Sequence, residues 1–207
     1  MSSNGASQTA GSGSRWVLPA LILLFFGPLL TAGYIYYFGG GWRPASSVNY
    51  GRLLESPLLL GELALPLAGA ATDQPGLFEG SWTLLYVSEQ ACELECRSAL
   101  DKMRRVRLAL REKAVRVQRI LLYAGTPAGS LLAVDDQADL RVMTLSGSAG
   151  GTFLELLTDA LAAPPNAPGA VYLVDPLGNL IMAYEPGFEM KGMLADLKRL
   201  LRLSSIG

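Results

Sequence analysis

Residues 80–97 read GSWTLLYVSEQACELECR, and this stretch decides the fold. Residues 82–87 are apolar, aromatic or β-branched and follow a glycine, which predicts a buried strand. Residues 93–113 then place apolar side chains at helical spacing between basic ones, which predicts an amphipathic helix. A strand that leads directly into a helix, with two cysteines at the junction, is typical of an alternating α/β sheet.

The alternation continues to the end of the chain. Six further elements are predicted: a strand at 117–123, a short strand at 141–145, a helix at 152–162, strands at 170–174 and 180–184, and a helix at 191–203. The first half forms a parallel βαβ crossover, and the last two strands form a hairpin around the turn DPLGN. The order predicts an α/β sandwich with a central mixed sheet flanked by helices, which is the element order of the thioredoxin fold.

Composition excludes several classes of protein. Half of the 207 residues are apolar, 17% are charged and the formal net charge is −1, so neither a fully disordered chain nor a strongly charged nucleic-acid binder fits. The chain has no histidine, which excludes Ser-His-Asp and Cys-His catalysis and histidine-ligated zinc or haem. Two cysteines are too few for a disulfide-stapled miniprotein or a four-cysteine zinc site.

An uncharged segment precedes the predicted domain. Residues 16–38, WVLPALILLFFGPLLTAGYIYYF, would extend about 35 Å as a helix, enough to cross a hydrocarbon core of about 30 Å. A cleaved signal peptide is the alternative, and the length of the apolar run opposes it. The flanking charges do not determine the orientation. We predict a disordered tail at 1–15, a transmembrane helix at 16–38, a linker at 39–47 and a globular domain at 48–207.

Cys92 and Cys96 are the candidate reactive residues. The start of a helix directs backbone N–H groups at the Cys92 sulfur and favours its thiolate, whereas Glu93 and Glu95 oppose this. On a regular helix the two Cβ atoms would be about 5–6 Å apart, but a disulfide prefers about 3.8 Å, so a bridge requires Cys92 outside the helix. Two thiolates can also hold one Cu(I) ion. We therefore predict redox or metal chemistry here, in preference to a static disulfide.

Three segments resemble the Sco/SenC family: the strand at 80–87, the CxxxC pair, and VYLVDPLGN at 171–179. The resemblance implies a membrane-anchored, thioredoxin-like factor of cytochrome c oxidase assembly. Such factors deliver copper to the binuclear copper site of oxidase subunit II or reduce its cysteines. Cys92 and Cys96 are then the implied catalytic residues, and also the implied ligands if Cu(I) is bound.

The resemblance also implies location and partners. The protein would lie in a bacterial inner membrane, with its tail in the cytoplasm and residues 48–207 in the periplasm. Its partners would be oxidase subunit II or other oxidase assembly factors, together with the membrane that holds its single span, and not nucleic acid.

The sequence departs from the family at two positions. The family's copper-binding histidine falls near Ala167 here, and its proline after the first cysteine is replaced by Glu93. Three-coordinate copper of the family type is therefore excluded. Exchange without metal is the preferred alternative to a two-coordinate dithiolate Cu(I), so no cofactor is certain and copper is the only candidate. A third copper ligand from methionine would come from Met182, Met190 or Met193.

Two other functions stay open. One is a general periplasmic thiol oxidoreductase unrelated to the oxidase; if the chain is an enzyme, it is a thiol–disulfide oxidoreductase. The other is a non-catalytic assembly or interaction module, which the missing histidine favours. Pro168 falls where thioredoxins carry a cis-proline beside the redox pair, and an ordinary loop proline is the preferred interpretation.

Charge is distributed unevenly. Nine of the 17 basic residues lie between residues 97 and 119, accompanied only by Asp101 and Glu112. We interpret this run as a solvated helix face, and contact with anionic lipid head groups or an acidic partner is the alternative. A further cluster, Asp135, Asp136 and Asp139, is predicted to consist of solvated loop carboxylates rather than a cation site.

Overall fold

The computed structural model describes residues 14–38, 49–63, 65, 67, 76–124, 138–145, 148–161, 164, 165 and 167–206. The chain divides into two compact units, Met1–Ser47 and Val48–Gly207, which are treated separately below. The predicted linker, most of the predicted tail, Asp135 and Asp136 lie outside the described residues.

The first unit contains one helix, α1, at Ser14–Phe38. It begins two residues before the predicted span, and Pro19 and Pro28 lie inside it. Its segment Trp16–Tyr37 is long and apolar enough to cross a membrane, judged by length and composition, and none of that segment is buried.

The second unit is built on a six-stranded mixed sheet. Its strands lie in the order β1-β6-β5-β2-β3-β4. They are Arg52–Leu59 (β1), Trp82–Ser88 (β2), Val117–Tyr123 (β3), Leu140–Thr144 (β4), Val171–Val174 (β5) and Asn179–Tyr184 (β6). Strands β2, β3 and β4 are parallel, whereas β5 pairs antiparallel with β2 and β6, and β6 pairs antiparallel with β1. The predicted crossover and hairpin are both confirmed.

Helices cover both faces of this sheet. They are α2 at Leu94–Ala109, a 3₁₀ helix at Arg111–Arg116, α3 at Ala149–Leu161 and α4 at Met190–Leu203. Because side chains alternate along a strand, Leu84 and Tyr86 pack with α2 and α4, whereas Leu85 and Val87 pack with α3. The α/β class with a central mixed sheet is therefore confirmed.

Two helix boundaries differ from the sequence prediction by more than two residues, and one strand was not predicted. The helix predicted to reach residue 113 ends at Ala109, and Arg111 then adopts a left-handed φ of 54°. Helix α3 begins at Ala149, and its Gly150 lies so close to the Ala124 carbonyl that any side chain there would overlap it. Strand β1 was not predicted, because the segment is mostly exposed and contains Pro57.

The predicted solvated face of basic residues is wrong in part, and so is the prediction for Asp139. Arg119 is fully buried, and its Nη2 lies 2.8 Å from Asp139 Oδ1. Its Nη1 donates to the Leu100 carbonyl at 3.0 Å, and Arg107 Nη1 lies 3.1 Å from Asp139 Oδ2. A buried guanidinium requires such partners because desolvation of an unpaired charge is costly. Desolvation lowers the pKa of Arg119, and the Asp139 carboxylate opposes that shift.

A second buried carboxylate joins the start of this unit to its last helix. Asp196 of α4 is 3% exposed and accepts hydrogen bonds from the amides of Tyr50 and Gly51, at 3.0 and 2.9 Å. It also accepts from the Tyr184 hydroxyl at 3.2 Å. Burial and the nearby carboxylate raise the pKa of Tyr184, so its hydroxyl stays protonated. Nothing in the sequence pattern had identified this contact.

Candidate functional site

The two cysteines meet at the junction of β2 and α2. Helix α2 begins at Leu94 with Glu93 as its N-cap, so Cys92 lies outside the helix and Cys96 lies in its first turn. This is the arrangement that a bridge was predicted to require. The two residues form a disulfide, with their Cα atoms 5.2 Å apart. The only two cysteines of the chain are therefore brought together at the end of a central parallel strand.

The main chain of Cys92 is held from two sides. Arg97 Nε donates to the Cys92 carbonyl at 3.2 Å. The hydroxyl of Tyr123, at the end of β3, lies against the Cys92 main chain. Burial raises the pKa of Tyr123, so this hydroxyl is neutral at physiological pH. Sequence reasoning had not identified Tyr123, although its place at the carboxyl end of a buried strand beside β2 was a usable signal.

A second tyrosine supports the opposite side of the site. The amide of Gly169 donates to the Tyr86 hydroxyl at 3.1 Å, which fixes the loop before β5 to strand β2. Burial raises the pKa of Tyr86, the Gly169 hydrogen bond lowers it, and Glu95 raises it. The site is therefore supported by two uncharged hydroxyls and by the Arg97 guanidinium, while its carboxylates lie at the surface.

A cavity of about 470 Å³ opens beside the disulfide, and Cys96 is part of its wall. Both sulfur-bearing residues are largely enclosed, with Cys92 8% and Cys96 5% exposed. The cavity therefore provides the route by which another molecule would approach the bridge. Three carboxylates also line it, those of Glu89, Glu93 and Glu95.

The position predicted to correspond to the family's histidine lies at the same cavity. Ala167 lines it together with Cys96, and its methyl side chain offers no ligand atom to this cavity. Pro168 also lines the cavity. No peptide bond among the described residues, which include Ala167 and Pro168, is cis, so Pro168 matches the thioredoxin proline in its position and not in its peptide geometry.

The donor set is poor for a resident metal. Among the residues that the structure describes, no group of three or more histidine, cysteine, aspartate or glutamate side chains could hold a metal ion. Of the three candidate methionines, Met182 and Met193 are 1% and 0% exposed within the core, and the Met182 sulfur packs against Gly51. The two cysteines could ligate Cu(I) only after reduction, because a metal binds the thiolate.

One known family model matches most of the domain. Residues 82–204 match the family model described as a transmembrane-like, thioredoxin-like, C-terminal domain. No curated protein sequence matches the chain.

Solved structures of low identity share the architecture. One is BsSco, described as a member of the Sco family of cytochrome c oxidase assembly proteins and as having a disulfide switch. It is 15% identical and aligns over 79% of this chain and 100% of its own, with a TM-score of 0.50. Yeast Sco1 with copper bound is 12% identical over 77% and 96% of the two chains, with a TM-score of 0.53. GPX1 of T. cruzi is 15% identical over 70% and 97%, with a TM-score of 0.50. The predicted thioredoxin-like fold is confirmed, and so is the predicted similarity to Sco proteins.

Proposed function

We propose that this chain, which belongs to the family of transmembrane-like proteins with a thioredoxin-like C-terminal domain, is a membrane-anchored factor that acts by thiol–disulfide exchange through Cys92 and Cys96. The observation that carries the proposal is the Cys92–Cys96 bridge at the β2–α2 junction, with Cys96 in a cavity wall. Thioredoxin-like neighbours support a role in thiol redox chemistry or copper handling.

The exchange itself is a balanced two-step reaction. A thiolate of a partner dithiol attacks one sulfur of the bridge, the Cys92–Cys96 bond breaks, and one cysteine leaves as a thiolate. The partner's second thiolate then attacks the mixed disulfide, so the partner is oxidised to a disulfide and this chain is reduced to two thiols. The reverse sequence moves two electrons from Cys92 and Cys96 to a partner disulfide. The Cys92 thiolate would lie at the start of α2, where backbone N–H groups stabilise negative charge.

The proposed setting is the assembly of cytochrome c oxidase. The resemblance of segments 80–87 and 171–179 to Sco/SenC proteins supports this, as does the description of BsSco as an oxidase assembly protein. The partner is then the copper site of subunit II or another assembly factor. The domain at 48–207 would lie in the periplasm, anchored to the inner membrane by residues 16–38, because oxidising compartments maintain disulfides.

Copper would be a transient cargo in this scheme. Yeast Sco1 was solved with copper bound, which supports testing the reduced pair as a Cu(I) site. Ala167 beside the pair supplies no ligand atom from its side chain, so Cys92 and Cys96 would hold the ion as two thiolates. For this reason we favour exchange as the main activity.

A mixed-disulfide trap tests the proposal. Full-length Cys92→Ser and Cys96→Ser variants each retain one thiol that captures a partner but cannot resolve the adduct. We expect one of them to form a covalent adduct with subunit II or an assembly factor in membranes, and the double variant serves as the control. A captured dithiol protein unrelated to the oxidase would support a general oxidoreductase instead. If both single variants capture nothing and also restore oxidase assembly in a deletion strain, the proposal fails and a non-catalytic module is the better description.

A further inference from the structure

We propose that the surface around the disulfide is a docking groove for an extended polypeptide whose reactive cysteine is flanked by lysine or arginine. This inference rests on the proposed exchange function and specifies its substrate class. It is carried by the shape of the surface, the position of the disulfide within it, and the sign of the charges along it.

Three cavities adjoin one another along this surface. The central cavity, of about 470 Å³, contains Cys96. A second, of about 420 Å³, shares Glu89 and Pro164 with it, and a third, of about 340 Å³, shares Glu95 and Pro168 with it. We call these three cavities together the acidic trough. Because Cys96 lines the central cavity, the disulfide lies near the middle of the trough rather than at its end. A partner polypeptide can therefore bind on both sides of its attacking cysteine.

The trough is negatively charged along its length. Five exposed carboxylates line it: Glu89, Glu93, Glu95, Glu155 and Asp159. Among the described lining residues the one cation is Lys102, whose ammonium donates to the Phe188 carbonyl at 2.9 Å and lies 4.7 Å from the Phe188 ring centroid. Lys102 keeps its charge, and Arg97 donates to the Cys92 carbonyl nearby, so five carboxylates outnumber two cations and the charge of the trough is negative.

These carboxylates are arranged for a polypeptide rather than for a metal ion. Across the described part of the chain they do not converge into a group that could ligate a cation. They alternate with apolar surface from Leu94, which is 79% exposed, and from Pro164, Pro168 and Pro186. A mixed acidic and apolar groove complements a segment that carries basic side chains and aliphatic stems.

The charge of the trough also determines which thiols can react. The attacking species is an anionic thiolate, and Glu93 and Glu95, which lie between the two cysteines in sequence, repel it. Lysine or arginine beside the attacking cysteine offsets this repulsion. Small anionic thiols lack such compensation, so the trough selects against them as well as for a basic partner segment.

Three cysteine peptides of equal length test the proposal against the oxidised full-length protein in detergent. Their single cysteine is flanked on both sides by lysine, serine or glutamate, and the second-order rate of bridge opening is corrected for the thiolate fraction of each peptide. At low salt we expect the lysine peptide to react about tenfold faster than the glutamate peptide. Since the charges are exposed, the difference should nearly vanish when the ionic strength shortens the Debye length to about 3 Å.

Matched variants locate the effect. The triple variant Glu89→Gln, Glu93→Gln, Glu95→Gln should lose most of the preference for the lysine peptide. The control Glu55→Gln, Glu62→Gln, Glu112→Gln removes the same charge from exposed positions that do not line the trough, and should retain it. Equal rates for the three peptides, or equal losses in both triple variants, would overturn the docking proposal and leave exchange intact. If neither the peptides nor dithiothreitol opens the bridge in the folded protein, the exchange function itself fails.

Discussion

The two ends of helix α2 are held in different ways. At its first turn, the disulfide end, Glu93 makes no side-chain cap hydrogen bond, and uncharged tyrosine hydroxyls contact the neighbouring main chain. At its last turns, the ionic end, Arg107 Nε donates to the Val117 carbonyl at 2.7 Å, and Asp139 contacts the guanidinium groups of both Arg107 and Arg119. The same helix is therefore supported by neutral hydroxyls and the single Arg97–Cys92 hydrogen bond where the cysteines lie, and by paired charges at the other end.

The reactive disulfide and the ionic contacts that stabilise the fold thus lie at opposite ends of the helix. A buried ionic network is costly to disturb, because removal of one member leaves an uncompensated charge. Neutral hydroxyls near the disulfide add no fixed charge to the interior around the sulfur atoms. The charges that approaching molecules meet are then those of the exposed carboxylates in the acidic trough. The contrast predicts that the two ends respond to different perturbations.

The largest effect is expected at the ionic end. Asp139→Ala should lower the free energy of unfolding by about 3 kcal/mol, because fully buried Arg119 would lose the carboxylate that compensates its charge. Urea or thermal unfolding measures the change. A loss below about 1 kcal/mol, within the range of exposed pairs, would show that water reaches Arg119 and that the ionic end is not buried as described.

Alkaline pH should destabilise the wall of the trough that Tyr172 supports. Burial raises the pKa of Tyr172 to about 12, and its hydroxyl donates to the Pro165 carbonyl at 2.8 Å, in a wall of the trough. Between pH 10 and 12 the folded state retains a proton that the unfolded state releases, so stability is complete below pH 10 and declines as the pH rises. This group alone accounts for a loss of about 2–3 kcal/mol by pH 12.

Unfolding curves at pH 9, 10 and 11 measure this decline. Tyr172→Phe is the control, since it removes the ionisable hydroxyl: the variant should be less stable at pH 9 but lose less stability as the pH rises. An unchanged pH dependence in Tyr172→Phe would contradict the assignment of the decline to this residue.

Opening the bridge should have a smaller effect on stability. The disulfide closes a very short loop, for which the chain-entropy relation gives about 2 kcal/mol, so reduction should lower stability by no more than this and leave the fold intact. Unfolding of the oxidised protein, the reduced protein and the Cys92→Ser, Cys96→Ser double variant provides the test. Global unfolding on reduction would show that the pair is a structural staple and not a centre that can cycle.

The smallest effect is expected for an exposed ion pair on α2 itself. Asp101 and Arg105 lie 2.8 Å apart, with side chains 45% and 66% exposed. Asp101→Ala should change stability by less than about 1 kcal/mol, because solvent screens the pair. A loss as large as that for Asp139→Ala would remove the distinction between buried and exposed charges on which the comparison of the two ends depends.

Local patterns predicted the elements around the cysteines well. The buried strand before Cys92, the strand at Val117–Tyr123 and the closing hairpin all depend on short apolar runs bounded by glycine, proline or charged residues. That a bridge would require Cys92 outside the helix followed from Cβ distances alone. These features are encoded by neighbours in sequence, which explains why one sequence sufficed.

The features that were missed depend on distant contacts. Strand β1 is an edge strand with mostly exposed residues, and its pairing with β6 shifts register between Leu53 and Leu58, so no regular alternation marks it. Arg119 had a visible signal, since a lone arginine in the apolar run VQRILLY requires a buried partner, but the sequence does not say that Asp139 is that partner. The trough likewise forms only when α3 and the segment before β5 are brought to the β2–α2 junction.

The carboxylate of Asp196 has a mechanical consequence. It holds the amides of Tyr50 and Gly51, at the point where the chain enters the folded domain. A pull exerted through the preceding residues therefore reaches α4 in the interior before it loads β1. Force applied on the N-terminal side is thus transmitted to α4, which packs with α2. The edge strand β1 is therefore protected from separating from the sheet.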